Sequence, residues 1–304
     1  MKIGYPCVNL GIGCTSSSTF RLSSYSERRL IEAVKSNLNC LERVLDFNIR
    51  HGILFFRITS DMVPFASHPV CNYDWGGHFQ SRLEIIGETI RKHQVRISMH
   101  PDQFVVINAR DRGVFERSVK ELEYHAKVLD LMGLDTTAKL QLHVGGVYGD
   151  KVGSMRRFEE RYTTLPDHVR KRLVIENDDV SYSLSDCMEI SAATGAPVLF
   201  DSFHHSLNSN GESVGEAFRL FTKTWRKNDG IPMVDYSSQD PGQKSGKHSK
   251  TIDKVEFMAF LKATVPYDFD LMLEIKDKEN SALRALRAAT GDMRLASAVK
   301  EENP

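Results

Sequence analysis

Cysteine pairs, long apolar runs and an excess of charge of either sign are all missing from this 304-residue chain. The five cysteines (Cys7, Cys14, Cys40, Cys71, Cys187) are odd in number, scattered, and nowhere spaced C-x-x-C. That excludes a zinc ribbon, argues against a disulfide scaffold, and fits a reducing compartment. No stretch approaches the ~18 apolar residues of a membrane span, and the N-terminal MKIGYPCVNLGIGC lacks the apolar core of a signal peptide. The expectation is a soluble cytoplasmic protein with no membrane partner. Lysine plus arginine number 40, as do aspartate plus glutamate, so no global field announces a polyanionic partner. A neutral total can still hide a basic face beside an acidic site. The glycine-rich dinucleotide fingerprint is also absent: Gly11-Ile12-Gly13 runs into Cys-Thr-Ser without a third glycine.

What the chain does have is alternation. Short apolar runs at Lys2–Cys7, Ile53–Ile58, Val95–Met99, Lys139–His143, Arg172–Glu176, Pro197–Asp201, Ile231–Tyr236 and Asp268–Glu274 read as strands. Helical patterns lie between them at Ser26–Phe47, Phe79–Lys92, Gly113–Met132, Gly153–Thr163, Leu184–Thr194, Ser213–Lys227 and Asp253–Thr264, with another from Ser281. Eight strand–helix units make an α/β protein with the count of a closed parallel (β/α)8, or TIM, barrel. No linker divides it, so one domain is expected over residues 1–295, with a short tail from 296 to 304 ending in Lys-Glu-Glu-Asn-Pro. The irregular stretches Ser60–Gly77 and Ser237–Lys250 follow strands two and seven. Both therefore fall on the face where barrels of this kind keep their chemistry.

Metal-type residues fall at matching positions. Strands three to eight end in His100, His143, Glu176, Asp201, Asp235 and Glu274; His204 follows in DSFHH, and His68 and His248 lie in the two irregular loops. Any one of them alone is more often a helix cap or a solvated polar residue. Together they are different, because carboxylates converging on one barrel mouth repel unless a cation sits among them. Imidazole plus carboxylate suits zinc, manganese or iron(II), and the carboxylate share leans toward manganese. At ~4–6 ligands per ion, the set calls for two or three divalent ions. Ions roughly 4 Å apart serve displacement at phosphorus by activating water and stabilising the leaving oxyanion. Phosphodiester hydrolysis is favoured on that chemistry, and sugar isomerisation on a two-metal barrel is the competing use.

The blocks G-Y-P-C-V-N-L (Gly4–Leu10), S-M-H-P-D-Q-F (Ser98–Phe104), L-H-V-G-G (Leu142–Gly146), I-E-N-D-D (Ile175–Asp179), D-x-x-H-H (Asp201–His205), D-Y-S-S-Q (Asp235–Gln239) and G-K-H-S (Gly246–Ser249) stand in this order. Their combination resembles the UV damage endonuclease family over about residues 1 to 280. The resemblance implies a metal-dependent barrel nuclease that nicks duplex DNA immediately 5′ of cyclobutane pyrimidine dimers and 6-4 photoproducts, leaving 3′-hydroxyl and 5′-phosphate ends. It implies metal ligation by His100, His143, Glu176, Asp201, His204, His248 and Glu274, and an active-site role for His68. Many family members carry His at the position of Asp235 and Lys at the position of Met233. Asp235 remains a competent ligand, whereas Met233 cannot carry a charge. An apurinic-site endonuclease or a xylose-isomerase-like sugar isomerase are the alternatives on the same barrel.

The resemblance also implies that Gln103 and Phe104 probe the duplex opposite the lesion, an amide and an aromatic ring being suited to filling and stacking in the gap. Tyr5 and Asn9 match family residues near the lesion pocket and the reacting phosphate, so Tyr5 joins Glu176, Glu274 and His68 as a candidate catalytic residue. Lys244, Lys247 and Lys250 in the loop after strand seven suit phosphate contact. Arg156, Arg157 and Arg161 either extend that face or form a solvated surface. UV-damaged double-stranded DNA is the expected partner, and a monomer the expected state.

Overall fold

Strands such as ILFFRI and RLVIE have continuous apolar middles, as strands buried on both faces must have. In a computed structural model of the chain, which describes residues 1–296, they form β1 (Ile3–Pro6), β2 (Phe55–Ile58), β3 (Arg96–Met99), β4 (Lys139–His143), β5 (Leu173–Glu176), β6 (Val198–Asp201), β7 (Met233–Tyr236) and β8 (Asp270–Leu273). Neighbours pair in parallel in chain order, and β8 closes on β1. The tail expected at 296–304 lies, beyond Ala296, outside the described residues. Gly4 marks a close approach of two strands: a Cβ there would stand 1.8 Å from the Phe55 carbonyl oxygen.

The helices are α1 (Glu27–Arg50), α2 (Trp75–Lys92), α3 (Arg112–Leu131), α4 (Lys151–Thr164), α5 (Asp167–Arg170), α6 (Leu184–Thr194), α7 (Ser202–Leu207), α8 (Val214–Phe221), α9 (Lys254–Ala263) and α10 (Glu279–Ala288). Most begin at a side chain that accepts a backbone N–H of the first turn, among them Ser26, Asp74, Asp111, Asp150, Ser183, Ser213 and Asp253. Three departures from the sequence reading have local causes. Helix α2 starts four residues earlier than expected, because Asp74 caps it at the Gly77 N–H. Helix α8 stops at Phe221 and tightens into a 3-10 turn. Helix α7 was not expected, being only six residues long; Asp201 nucleates it by accepting from the Phe203 and His204 N–H groups at 2.7 and 2.8 Å.

The reading of the cysteines needs one correction. Cys14 and Cys40 are bonded, with Cα atoms 5.8 Å apart, which ties the loop after β1 to α1. Only the folding of that loop onto the helix brings the two together, since they are separated by 26 residues. Cys7, Cys71 and Cys187 are free.

Inside the barrel a small apolar layer consists of Phe55, Val174, Leu199, Met233 and Met272, all fully buried. Outside it, the other face of each strand packs against the helices in one continuous core that includes Ile3, Leu140, Leu142, Ile175 and Leu271. Burying each such side chain contributes roughly 1.5–3 kcal/mol. That rigid double-sided frame holds the strand ends in place.

Candidate metal centre

Side chains on a strand return to the same face every second residue. Counting two residues on from the apolar inner layer gives Arg57, Glu176, Asp201, Asp235 and Glu274. The same period on β4 puts Gln141 and His143 in line, and on β3 it leads from Ser98 to His100. A ring of charge therefore sits directly above a ring of hydrocarbon, at the carboxyl ends of the strands. Register completes it, with His143 beside Glu176 and Asp201 beside Asp235.

Three groups of potential ligand atoms result, each within 4.8 Å: His100, His143 and Glu176; Glu176, Asp201 and His204; Asp201, Asp235 and Glu274. The Nε2 atoms of His100 and His143 stand 3.4 and 3.8 Å from the Glu176 carboxylate. His204 Nδ1 is 3.6 Å from Glu176 and 3.4 Å from Asp201. Asn177 braces this corner, since its amide donates to the Asp201 carbonyl at 2.9 Å and its own carbonyl lies 3.1 Å from His204 Nδ1. His248 enters from the hairpin after β7, where its Nδ1 lies 2.7 Å from the Glu274 carbonyl. That fixes the ring and leaves Nε2 for another partner.

Two residues that the sequence reading did not single out hold the carboxylates in place. Arg57 Nη2 donates to Asp235 Oδ2 at 2.6 Å, and Nη1 donates to Glu274 Oε1. Gln141 Nε2 donates to Glu176 Oε2 and Asp235 Oδ2, both at 2.9 Å. The available signal was the two-residue period: Arg57 follows Phe55, and Gln141 precedes His143, as polar residues on the inward face of otherwise apolar strands.

The electrostatics show an unbalanced site. Burial works to raise Glu176, but His143, His100 and His204 outweigh it and hold its carboxyl well below the usual range. Burial likewise opposes the charge on Glu274, and Arg57 brings it down to about 2. Burial pushes Asp235 up to about 8 against the pull of Arg57, with Glu274 and Glu176 adding to the rise. Asp201 is driven well up, chiefly by burial. Burial disfavours a charge on His204, yet Asp201 and Glu176 raise it to about 9. Asp201 Oδ2 and Asp235 Oδ1 are buried without a hydrogen-bond partner among the described residues. An unsatisfied buried oxygen costs about 1–3 kcal/mol, more when charged. Orphaned carboxylate oxygens beside imidazoles are a donor set suited to divalent cations, and these clusters could bind metal ions.

The remaining expected residues lie around this centre or away from it. A cavity of about 720 Å³ opens over it, lined by Arg57, His100, Gln103, Phe104, His248 and Glu274 among others. Phe104 is 61% exposed, so it is not a core residue under α3. His68 is exposed and accepts the Val70 N–H through Nδ1. It lines a neighbouring cleft that shares Asp102 and Phe104 with the first, and it belongs to none of the ligand groups. Tyr5 is fully buried between β1 and α1, donating to Asn48 Oδ1 at 2.7 Å and accepting from Asn9 Nδ2 at 2.8 Å. Asn9 in turn accepts the Gly11 and Ile12 N–H groups. These two residues brace the loop after β1; the geometry does not bring Tyr5 to the ligand groups.

Lys244, Lys247 and Lys250 are exposed and form no ion pair among the described residues. Their loop is less irregular than its composition implies. Gln239 and His248 form an antiparallel bridge, and the Gln239 side chain accepts the Gly246 N–H and donates to the Lys244 carbonyl, both at 3.0 Å. Arg157 and Arg161 spend their donors on the carbonyls of Asn108, Ile107 and Ala109, so they hold the loop after β3. Arg156 is left exposed.

The model of the UV-endonuclease UvdE family matches residues 1–302. A UV DNA damage endonuclease from Clostridium perfringens is 38% identical over 290 residues, covering 95% of this chain and 70% of the relative. One from Bacillus thuringiensis is 31% identical over 297 residues, covering 94% of each. The crystal structure of SacUVDE superposes with a TM-score of 0.92 at 44% identity, over 96% of this chain and 98% of that one. Endonuclease IV from Thermus thermophilus, at 16% identity and a TM-score of 0.56 over 83% of this chain and 93% of that one, shares the fold.

Proposed function

The chain belongs to the UV-endonuclease UvdE family, and on that premise we propose that it nicks duplex DNA immediately 5′ of cyclobutane pyrimidine dimers and 6-4 photoproducts, leaving 3′-hydroxyl and 5′-phosphate ends. The observation that carries the metal-dependent part is the gathering of His100, His143, His204, Glu176 and Asp201 into two groups, with Asp201 Oδ2 buried and without a hydrogen-bond partner among the described residues. His100, His143, Glu176, Asp201, His204, His248 and Glu274 would hold two or three divalent ions, manganese first, with magnesium or zinc as alternatives. Such ions supply an activated water and stabilise charge on the departing oxygen.

The protein's own residues set the geometry of that chemistry. Gln141 orients the Glu176 carboxylate, Asn177 orients His204, and the Glu274 carbonyl orients His248. These are outer-shell contacts of the kind whose loss costs about 10–100-fold in activity. Gln103 and Phe104 project over the cavity, where an amide and a ring can enter a duplex loosened by a photoproduct. Selection then comes from the ease of deforming the damaged site. His68 meets the nucleic acid from the adjoining cleft, and Lys244, Lys247 and Lys250 contact phosphates. The chain acts as a cytoplasmic monomer.

The test is nicking of an oligonucleotide duplex with one defined photoproduct, with chelator and then with manganese, magnesium or zinc restored. Cutting 5′ of the lesion only when metal is present is the expected result. Equal cutting with chelator would sink the metal reading, and preferential cutting of an abasic duplex would sink the lesion reading.

A further inference from the structure

Arg57 stands in the same inward layer as the candidate ligands, 178 and 217 residues in sequence from the two it touches. Its side chain is 3% exposed, that of Asp235 is 0% exposed, and Nη2 to Oδ2 is 2.6 Å. Its other terminal nitrogen is paired with Glu274. Among the described residues it is the only lysine or arginine paired with any of the four carboxylates of the centre. Position 233, one layer below Asp235 on β7, is a methionine packed into the apolar floor, so no cation rises from that strand.

The third ligand group, Asp201, Asp235 and Glu274, is purely carboxylate, whereas each of the other two includes imidazole and shares Glu176. Arg57 donates to two of its three members. A guanidinium is always charged and forks between two carboxylates in a fixed plane, so it neutralises them as an ion would while using up the oxygens an ion would take. Asp235 Oδ2 already accepts from both Arg57 and Gln141, which leaves that residue a single oxygen.

We propose that Arg57 is a resident cation of the centre that takes the place of a divalent ion on the Asp201–Asp235–Glu274 group. Asp235 is its counter-ion and not a metal ligand, and the chain takes two divalent ions in place of three. The proposal rests on the metal-dependent reading above and narrows it. Arg57 is a positioning residue, acting through Glu274.

The experiment counts ions. The full chain is stripped with chelator, titrated with Mn2+, and the bound metal read from the free-ion electron paramagnetic resonance signal and by elemental analysis after gel filtration. Two Mn2+ per chain are expected for the unaltered protein and for Asp235→Asn. Arg57→Met, which frees two carboxylates of their cation, is expected to take up a third ion, and Arg57→Lys to return the count to two. Three ions in the unaltered protein falling to two in Asp235→Asn would overturn the proposal, as would a count of two in folded Arg57→Met. If Arg57→Met does not fold, the unaltered protein and Asp235→Asn decide by themselves. Binding of no Mn2+ at all by the unaltered chain is a different result, and it overturns the metal-dependent reading itself.

Discussion

At the floor of the barrel, Lys139 is fully buried and donates to Asp229 at 2.6 Å and to the Lys171 carbonyl at 3.0 Å. Arg172 nearby pairs with Asp130 and gives its remaining donors to the carbonyls of Leu134, Asp135 and Ala138. At the mouth, four carboxylates share one guanidinium and several imidazoles, and two of their oxygens have no hydrogen-bond partner among the described residues. Both regions bury charge against the cost of leaving water, but among the described residues the pairs at the floor leave no buried carboxylate oxygen without a hydrogen bond, whereas those at the mouth do. The mouth has the composition of a site whose remaining charge comes from outside the chain. Buried charge alone is thus a poor sign of function; its imbalance is the better one.

The largest effect should come from the mouth. Replacing Glu176 or Glu274 with Ala should reduce nicking of UV-irradiated plasmid in Mn2+ by more than about 100-fold, beyond the cost of losing an outer-shell contact. Circular dichroism should show the fold retained, and undiminished activity in either variant would break the contrast.

The floor should behave in the opposite way. Lys139→Met removes the cation of a buried pair and should lower the unfolding free energy by about 3 kcal/mol in a urea titration. Nicking by the folded fraction should stay at its original rate. A large loss of activity without loss of stability would show that the two ends are not separable.

A smaller effect is expected at the exposed rim. Phe104→Ala removes one stacking ring, so affinity for a photoproduct duplex should fall about 10-fold in a binding titration, with the melting temperature unchanged. Unaltered affinity would remove Phe104 from the recognition surface.

The smallest effect concerns pH. His204 titrates near 9 in the folded chain against an ordinary 6.5, so the folded state holds this proton more tightly. Its contribution is complete below about pH 6.5 and is lost as pH rises through 9. Asp235, raised from 3.8 to about 8, loses stability in the same direction over a lower window. The melting temperature of chelated protein should therefore decline by a few degrees from pH 6.5 to 9. Mn2+ should flatten the decline, because a bound cation replaces the protons. A chelated protein that gains stability across this range would contradict the assignment of the buried charges.

Much of the centre was legible because a barrel strand is short and strictly periodic. An apolar run ending in His or a carboxylate already says which face the polar residue takes, and six consecutive strand ends of this type point to one mouth. Helix α7 was missed because six residues are too few to show a period, although Asp201 is a helix-capping residue type. Tyr5 was read as catalytic, yet it lies on the helix-facing side of its strand, one residue out of phase with the inward layer. Gln239 was read only as part of a motif, and its role in tying the hairpin under the lysines became visible with the bridge to His248.

By itself, the sequence determined the eight-unit barrel, the strand ends that carry His100, His143, Glu176, Asp201, Asp235 and Glu274, and the family. These are local facts of period and residue type, readable within a few positions. Only the tertiary structure decided the partners: Arg57 with Asp235 and Glu274, 178 and 217 residues away, Gln141 between Glu176 and Asp235, and Cys14 with Cys40. Those contacts exist because closing the barrel brings distant strands within hydrogen-bond reach, and no pattern within one strand specifies which polar group will face another across its interior.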